Sequence, residues 1–169
     1  MFRPAPDAEL VAQIPALRRY ARALTGDRWA ADDLVQDTLE RACRRWRLWA
    51  AGSDLRAWLF TVMHNLFIDS LRRAARQPSE AVDPHLLEDI AQAPAALEQA
   101  LDLQRCLMLL PAEQREVLLL VSLEDLSYEQ VARITGSPTG TVMSRLSRGR
   151  ARLRELMADA AKPALRRLK

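Results

Sequence analysis

The chain has 169 residues, 49% hydrophobic and 28% charged, with a formal net charge of +3, which suffices for one ordinary domain or two small helical ones. No run approaches the about 18 to 20 apolar residues of a membrane span, and the N-terminus MFRPAPDAEL lacks signal-peptide architecture, so no membrane insertion and a cytoplasmic location are expected. Cys43 and Cys106 are isolated thiols without a CxxC or Cys/His cluster; no disulfide framework, metal site or cofactor is expected, and both read as small core residues.

Five glycines, few β-branched runs and abundant Ala, Leu and Arg predict an all-α chain. Its charge falls in three blocks. Residues 1–77 carry 13 arginines against 9 acids, residues 78–103 carry 6 acids and no Lys or Arg, and residues 104–169 carry 12 bases against 7 acids. Two small basic helical domains, 1–77 and 97–169, joined by an acidic proline-containing linker over 78–96, are therefore expected. The basic bodies suit nucleic acid, whereas the linker avoids its phosphates.

The first helix is predicted over Ala8–Leu24, from the spacing of Leu10, Val11, Ile14, Leu17, Tyr20, Ala21 and Leu24, with Pro15 kinking or restarting it and Thr25-Gly26-Asp27 ending it. A second carries one apolar stripe through Ala31, Leu34, Val35, Thr38, Leu39, Ala42, Trp46 and Trp49. Its opposite edge presents Asp33, Gln36, Asp37 and Glu40. Asp32 and Asp33 read as complements to the helix dipole, whereas Asp37 and Glu40 lie too far along for that.

After the polar break AAGSDL, where Ser53 or Asp54 is a capping candidate, a third helix has Leu55, Trp58, Leu59, Val62, Met63, Leu66 and Phe67 as its broad apolar side. Thr61, Asn65, Asp69, Arg72 and Arg76 form a narrow polar strip. That strip reads either as the solvated face of a core helix or as a nucleic-acid contact. Pro78, Pro84 and Pro94 break any long helix in the connector. Helical spacing resumes through Leu97, Leu101, Leu107, Met108 and Leu110, and Pro111 starts another helix.

Leu126–Arg154 then reads as two short helices around a turn. Ser127 with Gln130 makes a capping box, Gly136 stops the first helix, Ser137-Pro138-Thr139 turns the chain, and Thr139 or Thr141 offers a hydroxyl cap to the second. On a helical wheel Val142, Leu146, Gly149, Leu153 and Leu156 pack, whereas Thr141, Met143, Ser144, Ser147 and Arg148 lie free, with Arg145 and Arg152 at the flank. The alternatives are a DNA-reading helix-turn-helix and a solvated basic hairpin.

SYEQVARITGSPTGTVMSRLSRGR closely resembles the helix-turn-helix of bacterial RNA polymerase sigma factors of the sigma-70 family, and three further segments resemble the same family. Ala31, Asp33, Leu34, Val35, Gln36, Asp37 and Thr38 match the helix that binds the polymerase β′ clamp. Trp58, Leu59, Asn65, Asp69, Arg72 and Arg73 match the segment that melts and reads the promoter −10 element. Leu110, Pro111, Gln114, Arg115, Glu116, Val117 and Leu118 match the helix leading into the helix-turn-helix, which docks on the β flap. His64 and Met63 depart from the −10 pattern, and Ser137 and Met143 from the −35 pattern.

With no room for a middle domain, the resemblance is to the extracytoplasmic-function (ECF) type. It implies a non-enzymatic transcription initiation factor that joins core RNA polymerase through Asp33, Leu34, Gln36, Asp37 and Glu40. It further implies a −10 reader of Asn65, Asp69, Arg72, Arg73 and Arg76, and a −35 reader of Thr141, Met143, Ser144, Arg145 and Arg148. Promoter DNA, core polymerase and an anti-sigma factor are the implied partners. The competing reading is a conventional dimeric helix-turn-helix regulator, which explains 127–154 but neither the Asp33/Gln36/Asp37 edge nor the Asn65 strip. His64 and His85 stand alone in the sequence, with no Ser/His/Asp set or phosphate-cradling glycine loop to suggest catalysis.

Overall fold

The computed structural model describes residues 7–46, 49, 53–76 and 95–161. They form seven helices and no strand: α1 (Asp7–Thr25), α2 (Arg28–Arg45), α3 (Leu55–Arg76), α4 (Ala95–Met108), α5 (Ala112–Ser122), α6 (Tyr128–Thr135) and α7 (Thr139–Ala160). The expected connector lies almost wholly outside the described residues, as do His85 and the basic tail beyond residue 161.

Helices α1, α2 and α3 make an N-terminal bundle. Leu10, Leu17, Tyr20, Ala21 and Leu24 bury one side of α1, which runs through Pro15 without restarting because that position is exposed on the outer face. At its end Gly26 takes φ +70, a conformation that costs residues with a Cβ, and donates its N–H to Arg22 O at 2.9 Å. Asp27 then caps α2 by accepting from Ala30 N at 2.7 Å. The cap corrects one expectation: Asp32 and Asp33 lie beyond the first turn of α2 and are not its dipole complement.

Asp54 Oδ1 accepts from Ala57 N at 3.1 Å and caps α3. Buried Leu59, Phe60, Met63 and Phe67 anchor that helix, and Tyr20 meets Phe60 edge-on with centroids 5.1 Å apart. Trp46 packs on Trp49 at 4.8 Å and on Trp58 at 6.3 Å, closing the far end of the bundle.

In the C-terminal half, Arg115 is the organising residue. Its guanidinium, 6% exposed, donates through Nη1 to the carbonyls of Leu107, Met108 and Leu110 at 3.2–3.4 Å, satisfying the open end of α4. Ser127 and Gln130 form the expected capping box, and Gly136 ends α6 in the left-handed region at φ 61. The hydroxyl cap expected for α7 is absent: Pro138 occupies the capping position with no side-chain bond, and Thr139 is already helical. Gly149 lets α7 approach α5, since a Cβ there would lie 3.3 Å from Gln114 O.

The halves do not stand apart as independent bodies. α6 packs on α3 and α5 on α1, and one buried apolar cluster runs through both. Cys106 is buried as expected, but Cys43 is exposed, because its neighbour Ala42 takes the inward position of the α2 stripe.

Candidate functional site

Three polar surfaces emerge on three different helices. On α2, Asp33, Gln36, Asp37 and Glu40 are exposed along one edge, with Glu40 paired to Arg44 one turn on. Leu34, grouped with them from the sequence, is 8% exposed and belongs to the core stripe with Ala31, Val35 and Thr38. That is the stripe position its spacing predicts.

On α3, Asn65, Asp69, Arg72, Arg73 and Arg76 are all exposed, and Asp69 lies 3.8 Å from Arg72 in a solvated i,i+3 pair. Thr61, the first member of the strip, turns its hydroxyl back to Ala57 O at 2.9 Å. Arg73 reaches the α2 side, where it borders a cavity of about 400 Å³ together with Asp37, Arg41, Arg44 and Arg45. Those α2 arginines were missed from the sequence. Their only signal was the cluster Arg41, Arg44, Arg45 at helical spacing, which also reads as an ordinary basic helix end.

On α7, Met143 is 53% exposed and Arg148 is exposed with no ion pair among the described residues. Thr141 and Ser144 are half-buried, and the Ser144 hydroxyl donates to Thr141 O at 3.0 Å. Arg145 is held inside the domain. Its Nη1 donates to the Ser137 hydroxyl at 3.0 Å and its Nη2 pairs with Glu113 at 2.9 Å. The departure at Ser137 thus has a structural use, because an aliphatic residue there could not accept from that guanidinium.

His64, which stood alone in the sequence, has its Nδ1 2.6 Å from Glu116 Oε1 on α5. Tyr20 is fully buried beside the same carboxylate, without a well-formed hydrogen bond for its hydroxyl. Burial first, and then the charges of Glu116 and Glu124, push its pKa well above 10.0. Burial likewise lowers that of Arg115, opposed by Tyr20 and Glu116. Sequence spacing gave no signal for this cluster, since its members are separated by whole helices.

No group of three or more His, Cys, Asp or Glu side chains among the described residues is arranged to hold a metal, and no described helix is long and apolar enough to cross a membrane.

The family described as "Sigma2 domain of PhyR" matches residues 10–64, and "Sigma-70, region 4" matches residues 100–153. The chain is similar to the ECF RNA polymerase sigma factor EcfG of Rhodopseudomonas palustris, at 39% identity over 152 residues, 88% of this chain and 83% of the relative. It is similar to SigM, an ECF sigma factor of Mycobacterium tuberculosis, at 35% identity over 141 residues, 83% and 71% of the two chains. Among solved structures, the sigma factor RpoE in complex with the anti-sigma factor NepR from Bartonella quintana superposes with a TM-score of 0.73 at 35% identity, covering 90% of this chain and 96% of that one.

Proposed function

The chain belongs to the ECF RNA polymerase sigma factors, and from that membership we propose how its surfaces divide the work of promoter-directed initiation. It is a transcription initiation factor that brings RNA polymerase to specific promoters; the dimeric-regulator reading is not favoured. The assignment of domains, with residues 1–77 serving polymerase and the −10 element and 97–169 the −35 element, is part of the proposal. Its action is non-enzymatic and its compartment the cytoplasm, where polymerase works.

One observation supports the division of labour: exposed acids, an exposed amide and arginine strip, and a helix face with Met143 and Arg148 exposed beside half-buried Thr141 and Ser144 lie each on its own helix. The α2 acids Asp33, Asp37 and Glu40, with Gln36, suit a basic polymerase clamp. Asn65 offers an amide to the edge of an unpaired base, while Arg72, Arg73 and Arg76 hold single-strand phosphates. Thr141, Met143, Ser144 and Arg148 face the −35 major groove, with Arg145 bracing the helix until DNA competes for it. Core polymerase, promoter DNA and an anti-sigma factor of the kind seen with the Bartonella relative are the partners.

Scale adds a constraint. A compact chain of this length has a radius of gyration of about 15 Å and is about 40 Å across. The two promoter elements are centred about 25 base pairs apart, or about 85 Å at 3.4 Å per pair. The two halves therefore separate when both elements are held at once.

Titration of core polymerase with labelled chain tests the assignment of the acidic edge. Asp37→Arg should weaken binding at least tenfold while changing stability by no more than about 0.5 kcal/mol, as expected for an exposed site. Unchanged affinity would remove the acidic edge from the polymerase interface.

A further inference from the structure

We propose that Glu116 and Glu124 of the DNA-binding half form a latch onto His64, Arg19 and Arg56 of the N-terminal half, which holds the free chain closed and keeps its polymerase-facing groove partly covered. The covering role rests on the functional reading above; the latch itself does not.

Glu124 lies in the turn between α5 and α6, and its side chain is wholly shielded from solvent. Arg19 grips it from α1 with two nitrogens, Nε to Oε1 at 3.1 Å and Nη2 to Oε2 at 2.9 Å. Arg56 of α3 reaches Oε2 at 2.6 Å. Glu116 is 2% exposed and meets His64 of α3. The hydrogen bonds of both carboxylates thus come from the opposite half, 52 to 105 residues away in sequence. Arg115 of its own half acts on Glu116 only through its charge, whereas the side-chain hydrogen bonds of Glu124 come wholly from Arg19 and Arg56 across the contact.

The contact between the halves is partly apolar, since one buried cluster runs through both, and these ion pairs lie within it. Burying carboxylates and guanidiniums costs solvation that their pairing only roughly returns, and on opening both sides regain water. The ion pairs then add orientation and only a small net free energy to the apolar contact, and a ligand that prefers the open form shifts the balance by no more than its differential affinity. Arg19 and Arg56 remain half-open to solvent, at 52% and 33%, so competing ions and partners reach the latch from its rim.

What closure covers is visible at Gly26. Met108 of α4 packs directly on it, so that a Cβ at Gly26 would lie 2.6 Å from the Met108 sulfur. Met108 and Arg115 form one wall of a cavity of about 400 Å³ whose other wall includes Asp33, Leu34 and Asp37. The C-terminal half therefore sits on the margin of the acidic α2 edge. Polymerase engaging that edge would meet Met108 and would bind the open form better.

The test is energy transfer within the full chain, between a dye on exposed Cys43 of α2 and one on Ala151→Cys of α7, with Cys106 buried. The chain should show high transfer. The double substitution R19E/R56E, which places acids against Glu124 without altering the DNA-binding half, should lower transfer with unchanged helical content. The same variant should bind core polymerase about tenfold more tightly, a coupling within the usual range for linked sites. Equal transfer in the chain and the variant would overturn the latch. Lower transfer with unchanged polymerase affinity would overturn its gating role. If neither protein bound polymerase while transfer still fell, the latch would stand and the functional reading would fail.

Discussion

Gln130 Nε2 donates to Asp54 Oδ2 at 2.9 Å, joining two residues that cap helices on opposite sides of the interface between the halves. Asp54 caps α3 with its other oxygen, and the Gln130 side-chain oxygen accepts from Ser127 N at 2.9 Å to complete the cap of α6. Each residue thus stabilises its own helix and aligns it with the other. Asp54→Ala and Gln130→Ala should each cost about 1 kcal/mol through the lost cap. Because the pair also touch, the double substitution should fall short of the sum by about 0.5 kcal/mol or more. Strict additivity in denaturant unfolding would mean that the bond between the halves contributes nothing.

Tyr20 predicts an alkaline limit to stability. Its phenol is held protonated in the native state above 10.0 by burial and by the charges of Glu116 and Glu124, whereas in the unfolded chain it ionises near 10.0. Native protein then binds the extra proton, so this contribution is constant below pH 10 and stability is lost as pH rises past it. Tyr20→Phe should flatten that decline above about pH 10. An identical alkaline decline in the two proteins would refute the assignment.

Arg148 and Arg145 should separate on α7. Arg148 is exposed and has no ion pair among the described residues, so Arg148→Ala should weaken −35 duplex binding and flatten the log–log salt dependence by about 0.9, the yield of one phosphate contact. Arg145 is tied to Ser137 and Glu113, and Arg145→Ala should also lower the melting temperature of the free protein. A salt slope unaltered by Arg148→Ala, with a changed base preference, would make Arg148 a base reader instead.

The sequence was most informative where a feature is local. The Ser127/Gln130 capping box, Gly136, the Asp54 cap and the α2 stripe each follow from residues within one or two turns of one another, where spacing alone fixes geometry. It failed where a residue's role depends on a neighbour brought in by tertiary packing. His64 finds Glu116 across 52 residues, and Glu124 finds Arg19 across 105. The exposure of Cys43 was misjudged for a related reason. Apolar character says that a residue tends to be buried, but only the packed partner decides which edge of the stripe is covered. Ser137 is intermediate: its departure from the family pattern was legible, whereas its bond to Arg145 eight residues on was not.

Asn65 is the residue on which promoter opening should turn. It is exposed in the middle of the α3 strip, on a different helix from the acidic edge and in a different half from α7. Asn65→Ala should therefore leave polymerase and −35 binding intact and reduce open complex several-fold, since an amide paired with a base edge contributes about 1–3 kcal/mol. Permanganate reactivity of the −10 thymines reads this directly. Normal reactivity with a normal thermal melt would end the base-capture idea.

Promoter-directed initiation is read out by transcription of total genomic DNA from the source organism with purified core polymerase, in the presence and absence of this chain as the sole added factor, with the 5′ ends of the transcripts mapped. A sigma factor of this kind should give a discrete set of chain-dependent start sites sharing one −10 and one −35 sequence at fixed spacing. Binding of the chain to core with no chain-dependent starts, or starts at positions without shared elements, would contradict promoter-directed initiation by this chain.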